Sequence, residues 1–219
     1  MSVHRLGIHP SWVIVFAGVC AALHVGKLPP ALPVLQTALG ISLVQAGFLL
    51  SAVQIASMVL GLVVGLSADR LGLRRSMLIG LALLSLASVT GGLATDVVTL
   101  LALRVLEGLG FLLVVMPAPG LIRLTVTEAA LSRRMGWWGT YMPTGSALAL
   151  LLGPWVIAGM NWSAWWWLVG LLSVLAGLAV WWWVPVIQPH ADTPPVPVWH
   201  HRLGLTLRSR SPWLLSLAF

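Results

Sequence analysis

Residues 65–75 read Gly65-Leu66-Ser67-Ala68-Asp69-Arg70-Leu71-Gly72-Leu73-Arg74-Arg75 and lie between two long apolar runs. One Asp and three Arg fall within seven consecutive residues of a chain that is 59% hydrophobic and 8% charged. A mean hydropathy of +0.98 and 13 Trp exclude an ordinary soluble domain, which needs a charged skin. Lipid is the solvent this composition suits. The net charge of +7 comes from short basic clusters between apolar runs, with no continuous basic face, so it reads as membrane topology rather than nucleic-acid binding.

Outward from that loop, six segments are long and apolar enough to cross a bilayer: 11–30, 43–66, 76–95, 97–121, 136–158 and 162–184. The opening stretch has a weak basic lead in His4 and Arg5, but further spans follow, so it reads as a first, uncleaved span. Cys20, the single cysteine, lies inside that run and reads as a small core residue. Gly61 and Gly65, four apart, suit close helix packing.

Ten of the 12 Lys and Arg fall before the first span, between the second and third, between the fourth and fifth, and after the sixth. The opposite connections, 31–42, Asp96 and 159–161, carry none. The positive-inside rule then places both ends of the six-span unit in the cytoplasm, with the unit in the plasma membrane. In the sixth span Trp165, Trp166 and Trp167 cluster at one end and Trp181, Trp182 and Trp183 at the other. Eighteen steps of 1.5 Å separate Trp165 from Trp183, ~27 Å, so the two clusters read as an aromatic belt at the two interfaces.

After Val184 the chain turns polar and Pro-rich, which predicts a linker over 185–210. His200 and His201 are adjacent there without further ligands, and no metal site or cofactor is expected. Residues 211–219 begin another apolar run of nine residues, too short to cross, and read as the start of a seventh span.

The loop pattern Gly65-x-x-x-Asp69-Arg70-x-Gly72-x-Arg74-Arg75, placed between a second and third span, resembles the signature loop of the major facilitator superfamily of secondary transporters. Arg104-x-x-Glu107-Gly108-x-Gly110 is similar to that family's fourth-helix motif, in which the acidic position is often Gln. The stretch 139–159 has the Gly- and Pro-rich texture of its fifth helix, but Gly153-Pro154 is followed by Trp155 and departs from the antiporter version. The resemblance implies an all-α membrane fold. Residues 1–184 would form the N-terminal six-helix half, 185–210 the central loop and 211–219 the start of a second half. It further implies that Gly65, Asp69, Arg70, Gly72, Arg74 and Arg75 form a latch that closes the two halves on the cytoplasmic side. On physical grounds Gly72 allows a tight turn, the Arg residues can meet anionic headgroups, and a carboxylate gains from a helix N-terminus.

Two cations escape the one-sided distribution, Lys27 and Arg104. A charge inside the membrane costs ~2.5–3.5 kcal/mol on insertion scales and is a functional hypothesis by default. Glu107 stands three residues after Arg104 on the same helical face, so the two can pair. The pair is either a packing device or a site where Arg104 meets an anionic solute while Glu107 serves as counter-charge or proton carrier. Lys27 shares a face with His24 and either snorkels to the interface or joins Arg104 in a positive vestibule. Tyr141 and Thr144 are candidate hydroxyls of the same cavity. The implied function is transport of a small polar or anionic solute by alternating access, with a missing half or a second copy as partner. A non-transporting scaffold is the alternative. The Gly-x-Ser-Gly and His-Glu-x-x-His signatures and a paired catalytic Asp are absent from the sequence, which speaks against an intramembrane enzyme.

Overall fold

The computed structural model describes residues 9–186, the side chains of 62–70 excepted, and among these residues the secondary structure is entirely helical. The helices are α1 (Pro10–Gly26), α2 (Leu28–Leu39), α3 (Leu43–Leu71), α4 (Leu73–Gly91), α5 (Val97–Val115), α6 (Ala118–Thr125), α7 (Glu128–Gly139), α8 (Tyr141–Gly159) and α9 (Trp162–Trp183). They make six stretches long and apolar enough to cross a membrane, because α1–α2, α5–α6 and α7–α8 each run on through a short break. The all-α, six-span expectation holds. The expected linker at 185–210 and the start of a seventh span at 211–219 lie almost wholly outside the described residues.

Proline explains two of the breaks. Pro29 and Pro30 have no N–H to give the turn before them, yet suit the first turn of a new helix, so α2 starts directly after Lys27. The sequence reading ended the first span at residue 30 and left 31–42 as a connection. The chain instead stays helical to Leu39, where Gly40 adopts φ +63° and turns it. Pro117 and Pro119 break the fourth span in the same way, between α5 and α6. Gly72, at φ +82°, makes the expected tight turn between α3 and α4.

α4 packs between α5 and α9, α1 lies against α8 and α9, and α3 covers α5. Without a hydrophobic drive between helices in lipid, close backbone approach is what holds such pairs. A Cβ at Gly80 would lie 2.6 Å from Gly110 O, and one at Gly110 2.9 Å from Gly80 O, so α4 and α5 touch backbone to backbone. Gly145 meets Val19 O and Ala22 similarly across α1 and α8. Gly61, expected at such a contact, faces open space. Outward faces are apolar, as Leu43, Met58, Leu151 and Trp155 illustrate.

The core divides into two apolar clusters. One gathers Val13, Ile14, Cys20, Met77, Leu84, Val114 and Val180. The other gathers Leu23, Leu28, Leu49, Leu100, Trp165, Trp166 and Val169. Along α5 and α9 the two clusters leave a gap, between Leu100 and Val114 and between Val169 and Ala176. Polar residues fill that gap.

Two Arg anchor the end at which α1 starts and α9 finishes. Arg74 donates to Trp181 O at 2.5 Å, one of the last carbonyls of α9, and lies over the Trp181 ring. Arg134 lies 4.4 Å over the Trp12 ring. At the opposite end Asp96 caps α5 by accepting from Thr99 N and Thr99 Oγ1 at 2.8 and 2.7 Å, and these bonds hold its carboxyl below the usual range.

Candidate functional site

Four sequence-singled side chains converge in the gap between the apolar clusters: His24 and Lys27 from α1 and its end, Arg104 and Glu107 from α5. Lys27 and His24 are fully buried, and Arg104 and Glu107 are 1% exposed. Lys27 therefore does not snorkel. Its Nζ pairs with Glu107 Oε1 and donates to Ser88 Oγ at 2.7 Å, and it lies 4.8 Å from the centre of the Trp166 ring. Arg104 Nη1 donates to Glu107 Oε2 and to His24 O, both at 2.6 Å. The i,i+3 spacing brought Arg104 and Glu107 together as expected.

One carboxylate thus serves two cations, one at each oxygen. His24 Nδ1 stands 3.1 Å from Glu107 Oε1, and Nε2 stands 2.7 Å from Ser173 Oγ. A neutral ring with its proton on Nδ1 satisfies both contacts, donating to Glu107 and accepting from Ser173; the tautomer is assigned from this network. The 3.5 Å approach of Lys27 Nζ to Nδ1 is then a contact without a hydrogen bond. Ser88 Oγ passes the chain on to Trp166 O at 2.7 Å, and Trp165 Nε1 donates to Lys27 O at 3.0 Å. The network ties α1, α4, α5 and α9 together inside the membrane.

Ser88, Ser173, Trp165 and Trp166 are members the sequence reading missed. A serine inside an apolar run is a usable signal, since its hydroxyl needs a partner there. The tryptophans were expected in an interfacial belt. Trp165 and Trp166 are instead 1% exposed and form the wall of the charged site, and only Trp167 of the three faces outward, 43% exposed. At the other end Trp181 and Trp182 are exposed.

Tyr141 stands apart from the network. Its ring stacks on Trp138 with centroids 4.3 Å apart, and it is the Trp138 ring and the Tyr141 Cβ that lie beside Gly18, six residues before His24 in α1. Thr144 is exposed on α8. Within the signature loop, Gly72 and Arg74 have the contacts given above and Arg75 is exposed, while the side chains of Asp69 and Arg70 and the surroundings of Gly65 lie outside the description. Among the described residues no three His, Cys, Asp or Glu side chains gather to hold a metal ion.

Comparison with known proteins agrees with this architecture. The chain is 29% identical over 151 residues to the tetracenomycin C resistance and export protein of Streptomyces glaucescens, covering 68% of this chain and 28% of that protein. It is 32% identical over 133 residues to the puromycin resistance protein of Streptomyces alboniger, covering 60% of this chain and 26% of that protein. A bacterial homologue of the human lysosomal transporter Spinster, solved inward-facing and unoccupied, shares the fold with a TM-score of 0.69 at 20% identity. That match covers 97% of this chain and 52% of the solved one. The chain thus spans little more than a quarter of either curated relative and about half of the solved transporter. The profile of the Major Facilitator Superfamily matches residues 14–219, and the chain belongs to that family.

Proposed function

We propose that the chain is the N-terminal six-helix half of a secondary transporter that moves a small polar or anionic solute by alternating access. The observation that carries this reading is the Lys27–Glu107–Arg104 cluster, sealed between apolar layers where two cations share one carboxylate. A membrane protein does not keep such charges for packing alone at low cost, and the imbalance favours an anion. The names of both curated relatives refer to resistance to a small organic molecule, which supports a transport role.

In this reading His24, Lys27, Arg104 and Glu107 form the solute site, and Glu107 is the candidate proton carrier. The loop with Asp69, Arg70, Arg74 and Arg75 faces the cytoplasm at the plasma membrane and latches against a second half or a second copy. A breakable contact of that kind is what an equilibrium between two open states requires.

The test is flux into proteoliposomes holding the complete gene product, with radiolabelled organic anions and an imposed pH gradient. Saturable flux of at least one anion, reduced at least tenfold in Arg104→Gln, is the expected result. Flux that ignores Arg104→Gln would reject the site. Reading the coding sequence past the codon for Phe219 tests the half assignment, with an open frame of similar length expected.

A further inference from the structure

Arg104 uses only part of its guanidinium. Both N–H groups of Nη1 are taken, by His24 O and Glu107 Oε2. Nε and Nη2 have no hydrogen-bond partner among the described residues, although the residue is 1% exposed. Charged donors withdrawn from water without a partner are among the most costly groups a fold can hold, and two such donors on one edge of Arg104 call for an acceptor. We infer that the Nε–Nη2 edge of Arg104 is the docking point for the carboxylate of a small monocarboxylate solute. The inference rests on the reading of this cluster as the solute site, and it names the substrate class.

Geometry and charge both select that class. Nε–H and one N–H of Nη2 point in parallel, at the spacing of the two oxygens of a carboxylate, and such two-pronged pairs are the strong ones. Lys27 cannot play this part, because its ammonium already faces Glu107, Ser88 and the Trp166 ring. With His24 neutral, Lys27 and Arg104 bring two positive charges against the single negative charge of Glu107. The other acidic side chains described are engaged or distant: Asp96 caps α5, and Glu128 is exposed at the start of α7. One further negative charge makes the cluster neutral. A monocarboxylate supplies that charge together with two acceptor oxygens. Chloride supplies the charge without the fork, and a doubly charged phosphate overshoots.

The test uses the purified complete gene product in lipid nanodiscs at constant ionic strength. Sodium acetate and sodium benzoate are titrated against sodium chloride and sodium phosphate. Two signals are followed, the thermal unfolding midpoint and the Nε–H resonances of protein labelled with 15N-arginine. The expected result is a saturable rise in midpoint with acetate or benzoate, together with a downfield shift of one arginine Nε–H. Arg104→Lys keeps the charge and loses the fork, and should weaken the apparent affinity at least tenfold. If that variant does not fold, the wild-type Nε–H shift decides. Acetate and benzoate acting no differently from chloride, or equally on Arg104→Lys, would overturn the inference. Saturable carboxylate binding without flux in proteoliposomes would keep this edge and remove the transport reading. Flux with an edge indifferent to carboxylates would do the reverse.

Discussion

Lys27 and Glu107 stand 80 residues apart in the sequence and form an ion pair in which neither side chain reaches solvent. Because Glu107 also holds Arg104, the two ends of this pair are not equivalent. Glu107→Gln leaves two buried cations facing each other and should cost about 3–5 kcal/mol of stability. Lys27→Met leaves a one-to-one pair of Arg104 and Glu107 and should cost only about 1–2 kcal/mol, chiefly through the lost bond to Ser88. Unfolding by sodium dodecyl sulfate in mixed micelles measures both. A larger loss for Lys27→Met than for Glu107→Gln would contradict this charge arithmetic.

The contact of α4 with α5 predicts a second ordering. Ala at Gly80 places a methyl 2.6 Å from Gly110 O, a backbone atom that cannot swing away. The helices must part, at about 1–3 kcal/mol. Gly61→Ala meets nothing within 4 Å and should gain up to about 1 kcal/mol from helix propensity. The same unfolding assay on the two single variants compares them directly.

At the start of α1, His9 caps the helix by accepting from Ser11 N at 3.3 Å, a role that needs an unprotonated Nδ1. Partial burial, and then the nearby Arg134, hold its pKa below the ordinary histidine value. The unfolded chain therefore binds this proton more readily than the folded one. The stability His9 contributes is present above about pH 6.5 and is lost as pH falls through the folded value. A histidine titration by NMR should find its midpoint below 6.5, and Arg134→Gln should raise it only part of the way, because burial is the larger cause. Complete restoration in that variant would show that the cation alone sets the shift.

Gly72 joins α3 to α4 at φ +82° and ψ 139°, a conformation that a side chain resists. Gly72→Ala should cost about 1–3 kcal/mol. The strain sits in the turn, so added cleavage by a protease should appear at the 71–73 junction while the helix content read by circular dichroism stays unchanged.

Much of the fold was legible because the loop at 65–75 and the runs around it carry their meaning locally, in composition and length. The Arg104–Glu107 pair was legible for the same reason, as i,i+3 spacing fixes a shared face. What escaped the sequence was direction. Three consecutive tryptophans on a helix point about 100° apart, so Trp165 and Trp166 turn inward while Trp167 faces out, and residue type alone does not say which. Lys27 escaped because Pro29 and Pro30 look like the end of a span, whereas they begin α2 and leave the lysine at an internal junction. Ser88 and Ser173 became members of the site only once α4 and α9 were packed against α1.

The distance between Lys27 and Glu107 along the chain also sets an order of events during synthesis. A ribosome adds about 5–20 residues per second, so roughly 4–16 s pass between the two positions leaving it. Through that interval the first span holds an ammonium whose counter-ion has not yet been made. The nascent protein must keep Lys27 in a wet or headgroup-lined setting until the fourth span arrives. Seating of this lysine then becomes a late step of biogenesis, completed only when Glu107 reaches it.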